Sequence, residues 1–94
     1  MNIQNSKELK TALRAGKFAW PGGYPCFFIT DDGCALSFEA VKENFRAVLS
    51  SVRNKDRDGW RVISVEINWE DPSLYCEHTG QRIESAYAED QAAH

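Results

Sequence analysis

The chain lacks any long apolar run. No stretch approaches the roughly 18–20 residues that a membrane-crossing helix requires. Residues 1–15 hold Lys and Arg but no apolar stretch of the kind that marks a secretory signal, so a soluble, cytoplasmic protein is expected. Cysteine is scarce and odd in number, with Cys26, Cys34 and Cys76 only. That count argues against a secreted disulfide scaffold and predicts reduced thiols acting as small apolar side chains. The sequence has no P-loop, no G-x-G-x-x-G, no G-x-S-x-G and no H-E-x-x-H, so none of the common nucleotide, hydrolase or zinc-protease motifs is available. Cations are nearly missing from the last third: from Glu66 onward seven Asp and Glu stand against Arg82 alone. That region suits a basic protein partner better than a phosphate backbone.

What is present is globular composition. The 94 residues are 43% hydrophobic and include eleven Phe, Tyr and Trp, enough for one small domain over residues 1–94. The first few residues and the C-terminal tail are expected to be flexible. Asn5 and Glu8 have capping-box spacing before a short stripe of Leu9, Ala12 and Leu13, and Gly16 is a plausible stop. Trp20-Pro21-Gly22-Gly23 reads as a turn before the aromatic strand Tyr24 to Thr30. Asp32-Gly33 predicts a two-residue hairpin turn returning through Cys34-Ala35-Leu36. Ser37 is a good N-cap for a single helix striped by Phe38, Val41, Phe45, Val48, Leu49 and Val52. Residues 60–69 alternate, with Ile63, Val65, Ile67 and Trp69 on the inward face and Ser64, Glu66 and Asn68 outward. A last hairpin, Leu74–His78 with Gln81–Tyr87, follows the Pro72 turn. The expected fold is α+β: an antiparallel sheet of two hairpins and a strand against one central amphipathic helix, with a short N-terminal helix at its flank.

Leu74 to Ile83 reads like half a zinc knuckle, C-x-x-C-G-x-x-I, with Thr79 in place of the second cysteine. A structural zinc site needs four N or S ligands, and Cys26, Cys34, Cys76 and His78 reach that number without the usual short Cys spacing. A two-residue turn at Thr79-Gly80 instead sets Cys76 opposite Ile83 in the core, and no metal or other cofactor is expected. A Cys76–His78 nucleophile pair lacks a recognisable orienting group and oxyanion site, so no catalytic residue is expected. Two macromolecular surfaces remain. Trp69, Glu70, Asp71, Tyr75, Glu84 and Tyr87 combine large aromatics with acids, as suits a protein interface. Arg46, Arg53, Lys55, Arg57 and Arg61 form the alternative, a basic helix and loop for DNA or RNA, interrupted by Asp56 and Asp58. An uncovered sheet edge also admits a structural homodimer.

The run Pro21 to Gly33 followed by Ala35-Leu36-Ser37-Phe38, with Gly59-Trp60-Arg61-Val62, Asn68-Trp69-Glu70-Asp71, Tyr75-Cys76, His78-Thr79-Gly80, Arg82-Ile83 and Ser85 to Asp90, resembles a family of small uncharacterised proteins of bacteriophages, prophages and other mobile elements. The likeness covers residues 20–90 and carries no assigned activity. It implies a mobile-element accessory protein that binds a host or phage protein in the host cytoplasm. Inhibitors of host defence such as anti-CRISPR proteins are one such class.

Overall fold

A computed structural model describes residues 1–19 and 22–87. Trp20, Pro21 and the expected flexible tail from residue 88, with its terminal histidine, lie outside the described residues. The elements run α1 (Ser6–Ala15), β1 (Phe18–Ala19), β2 (Tyr24–Thr30), β3 (Ala35–Leu36), α2 (Phe38–Glu43), α3 (Phe45–Asn54) and β4 (Val62–Ile67). This is an α+β fold, an antiparallel sheet carrying helices, as the sequence pattern predicts.

The aromatic, β-forming strand β2 is the centre of the sheet and pairs with all three others. Its Cys26 N–H donates to Lys17 O and its Thr30 N–H to Cys34 O. Even-numbered positions therefore face β1 and then β3 along one edge, while β4 takes the other through pairs such as Phe28 with Val65. The first residues extend the far side of β4, where the sequence pattern predicts a loose end. Val65 N–H donates to Met1 O and Ile3 N–H to Ile63 O, each at 2.8 Å, and Ile3 is buried.

Helix α1 starts at Asn5, whose side chain accepts the Glu8 N–H at 2.9 Å, while the Glu8 carboxylate accepts the Gln4 N–H. It ends where Gly16 takes a φ of 88°, a conformation that favours glycine. The single helix expected after Ser37 is broken at Asn44. There the side-chain amide donates to Ala40 O at 2.9 Å, the same carbonyl that the Asn44 backbone N–H uses. This local competition for a helix carbonyl is what asparagine is suited to, and it separates α2 from α3. The apolar stripe survives the break: Phe38, Val41, Val48 and Val52 are buried with Leu9 and Ala12 of α1 around Phe28, which stands 4.5 Å from the Phe38 ring.

Three registers differ from the simple alternation. The first hairpin turns through three residues, Asp31 to Gly33, because Thr30 pairs with Cys34 and Gly33 adopts φ 83°. An αL glycine closing a three-residue loop is a common alternative to the two-residue turn. In β4 the partner of Thr30 is Val62 while that of Ile29 is Ser64. Ile63 is thus the extra residue of a bulge. Val62 takes the inward position, and Ile63 is 37% exposed. Asn68, on the polar side of the alternation, is 3% exposed, and Trp69, on its apolar side and expected at an interface, is 44% exposed.

The last hairpin consists, among the described residues, of one bridge, Tyr75 with Arg82. Cys76 N–H donates to Gln81 O, Ile83 N–H to Leu74 O, and Gly80 N–H closes back on Cys76 O. The turn is four residues long, and the register is shifted by two from a Thr79-Gly80 turn. A shift of two preserves faces, so Cys76 and Ile83 are both buried in the core as expected.

Candidate protein-binding surface

Alternate residues of a strand share a face, and in β2 the row Thr30, Phe28, Cys26, Tyr24 lies beneath the helices. Thr30 and Phe28 are fully buried, but Cys26 and Tyr24, toward the start of the strand, are half-buried. At that end Tyr24 meets Trp69 at 4.6 Å between ring centroids and Tyr87 at 6.4 Å. Trp69 and Tyr87 lie nearly parallel, 6.0 Å apart. The core thus runs out into an exposed aromatic platform.

The platform is held by Asn68. Its backbone N–H donates to Pro25 O at 2.9 Å and its carbonyl accepts the Ala86 N–H at 2.8 Å. Its side-chain amide reaches the carbonyls of Glu84 (2.9 Å), Asp71 (3.1 Å) and Ile83 (3.3 Å), and its side-chain oxygen accepts the Asp71 N–H. One residue further, the Tyr87 N–H donates to Trp69 O at 2.9 Å. The buried amide ties β4, the turn after it and the 83–87 segment together, and the two exposed rings project from that knot. Gly22 lies against the third ring: a Cβ built there would stand 2.6 Å from the Tyr24 ring. The Tyr24 hydroxyl beside Tyr87, reinforced by the negative charge of Glu70, raises the Tyr87 phenol above its ordinary value of 10.0.

A hollow of about 640 Å³ opens beside Trp69. Ala15 and Gly16 at the end of α1, Phe18 of β1 and Val65 and Ile67 of β4 line it, with Glu66 at its rim. On the other side of β1, Lys17 bridges Glu39 at 3.0 Å and Glu84 at 3.1 Å. Those carboxylates raise the lysine above its ordinary 10.5.

Of the residues expected at a protein interface, Trp69, Glu70, Asp71 and Tyr87 come together. Glu84 is engaged by Lys17, and Tyr75 stands exposed on the last hairpin without a ring contact to the trio among the described residues. Tyr24 and Phe18 join the surface and the buried Asn68 supports it; of these only Tyr24, one of the surplus aromatics, is conspicuous in the sequence.

The basic set divides. Arg46 lies with Lys42 and Glu43 at the elbow between α2 and α3. Arg53 is in the last turn of α3. Lys55 and Arg61 share a hollow with residues 2–5, and Arg57 and Arg61 share another with Asp31 and Asp32. Two carboxylates thus stand where a phosphate would approach two of the five cations.

Cys76 lies in the core and Cys26 packs against it. Burial raises Cys26, and burial with the charges of Asp32 and Glu77 raises Cys34, each above the ordinary 9.0. At Cys76 burial opposes the thiolate, but hydrogen bonds from Thr79 and Ser37 outweigh it and lower the thiol below 9.0. Its sulfur accepts the Ser37 N–H at 3.4 Å and is 1% exposed, while the His78 ring stands 4.8 Å from Trp60. Among the described residues no three His, Cys, Asp or Glu side chains gather as a metal would need, and no helix is long and apolar enough to cross a membrane. No protein-family model, curated protein or solved structure matches the chain.

Proposed function

We propose that this chain is a non-enzymatic protein that works by binding another protein through the Tyr24–Trp69–Tyr87 face. The observation that carries the reading is the pairing of exposure with fixation. Trp69 and Tyr87 are 44% and 46% exposed, yet the backbone beneath them is tied by the buried Asn68. Fully burying a large apolar side chain gains on the order of 1.5–3 kcal/mol. Rings left partly in water but held in place keep that gain for a partner at little ordering cost. The resemblance to phage and prophage proteins supports a host or phage protein as the partner, with inhibition of a host defence system such as CRISPR-Cas as one form of the activity. The DNA- or RNA-binding alternative has weaker support, because Asp31 and Asp32 face Arg57 and Arg61.

The test is affinity capture from a bacterial lysate with three baits: the wild type, a Trp69→Ala/Tyr87→Ala variant and an Arg53→Glu/Arg57→Glu variant. A stoichiometric protein lost only from the aromatic variant is the expected result. Salt-sensitive, submicromolar gel shifts abolished by the arginine variant would establish the nucleic-acid reading instead.

A further inference from the structure

We infer that the ligand of this face is a short segment of a partner protein in which a lysine or arginine neighbours a large apolar side chain. The apolar group enters the hollow beside Trp69, and the cation rests on the Trp69–Tyr87 rings near Glu70. This rests on the protein-binding reading and adds its chemistry.

Two features of the surface require the two parts of the ligand. The first is the hollow. Its volume of about 640 Å³ falls within the roughly 300–1,000 Å³ of ordinary ligand clefts, and the walls supplied by Ala15, Phe18, Val65 and Ile67 are apolar. The second is the charge beside it. Glu70 and Asp71 follow Trp69 directly and the Glu70 charge acts on Tyr87, while Glu66, which also lines the hollow, is paired with the Met1 ammonium. The cations nearby are engaged: the Met1 ammonium by Glu66 and Val65 O, and Lys17 by Glu39 and Glu84. Arg14, in the last turn of α1, is not among the residues lining the hollow. A cation over an indole or phenol face is attracted by the ring quadrupole. The chain already makes such a contact, with Lys17 Nζ 5.2 Å from the Phe18 centroid.

The same charges disfavour two other occupants. A nucleic acid would bring phosphates to these carboxylates. A second copy docking through the same patch would, by the self-complementarity of a two-fold interface, bring two copies of the Glu70–Asp71 pair together.

Selection of a random displayed peptide library on the whole chain, followed by fluorescence polarisation with synthetic peptides from the selection, tests the inference. Enriched peptides should carry Lys or Arg within a few positions of Leu, Ile, Met or an aromatic. Trp69→Ala should weaken them by about 30-fold, the size of a hot-spot truncation, whereas Trp69→Phe, which keeps a ring, should retain most binding. Glu70→Gln, or norleucine for the peptide cation, should cost about three- to tenfold, with weaker binding as salt is raised. Peptides that need Trp69 but are indifferent to Glu70→Gln and to the loss of their own cation would overturn this inference and leave the protein-binding reading standing. A selection yielding only binders that ignore Trp69→Ala, or none, would overturn both. A dimer seen by light scattering that Glu70→Gln tightens would assign the surface to a second copy instead.

Discussion

The two ends of the β2–β4 ladder treat their large and charged side chains in opposite ways. At the end where Thr30 meets Val62, the aromatic and charged groups named here have companions, and Ile63 alone of that stretch's large apolar side chains is exposed. Asp58 accepts the Ser51 hydroxyl at 2.7 Å and the Trp60 N–H at 3.0 Å, Trp60 is half-buried against His78, and Arg57 and Arg61 lie beside Asp31 and Asp32. At the other end, beyond the pair of Cys26 with Ile67, Trp69 and Tyr87 lie partly in water above a backbone tied by the Asn68–Pro25, Ala86–Asn68 and Tyr87–Trp69 hydrogen bonds. The loop end satisfies itself. The aromatic end is tied through Asn68 and leaves its rings partly in water, which is the contrast on which the proposed binding face rests.

The strongest way to break this contrast is at Asn68. Asn68→Ala leaves the carbonyls of Ile83, Glu84 and Asp71 without the side-chain amide that now reaches them. Unfolding by urea should show a loss of about 2–4 kcal/mol, the cost of stranding buried polar groups. Arg57→Ala, at the other end, should stay within about 0.5 kcal/mol of the wild type. Gly22→Ala comes next. A residue at φ 108° whose Cβ meets the Tyr24 ring should cost about 1–3 kcal/mol and should also weaken binding by displacing one of the three rings. Trp69→Ala separates the two properties. It should lower stability by less than about 1 kcal/mol, as surface changes do, while abolishing most of the binding.

The smallest effects are electrostatic. Asp58 is lowered from its ordinary 3.8 by the Ser51 hydroxyl and the Trp60 N–H. A carboxylate depressed in the folded state contributes stability that is present above 3.8 and is lost as pH falls through the lower folded value. Thermal unfolding should therefore weaken on acidification below about pH 4, and Asp58→Asn should flatten that loss while leaving the slope at pH 6–9 unchanged. Lys17 is raised, so its contribution is complete below 10.5 and fades only as pH rises beyond it. Its pairs with Glu39 and Glu84 are partly exposed, and Lys17→Met should cost no more than about 1 kcal/mol.

Much of the fold is legible in the residues. The Asn5 and Ser37 caps and the apolar stripe of the helical region follow local rules that the structure obeys, and 62–67 forms the expected strand. What is not legible is register. The Asp32-Gly33 pair predicts a two-residue turn, and the chain uses three residues because Gly33 supplies the αL position of the longer loop. The Ile63 bulge exchanges Val62 for Ile63 on the inward face, and no residue in that run announces it, since both are β-branched. Asn68 reads as an outward strand residue because its partners, the carbonyls of residues 83 and 84, are distant in sequence. The candidate site was half visible. Trp69, Glu70, Asp71 and Tyr87 stand out by composition, but Tyr24 and Phe18 join them only through pairing, and the removal of Glu84 to Lys17 is a tertiary fact.

The central claim is that the exposed rings serve recognition and not stability. It is tested most directly by measuring unfolding free energy and peptide affinity on the same Trp69→Ala/Tyr87→Ala protein. The account predicts a fold destabilised by no more than about 2 kcal/mol that has lost the selected ligand. Retained affinity, or collapse of the fold itself, would contradict it.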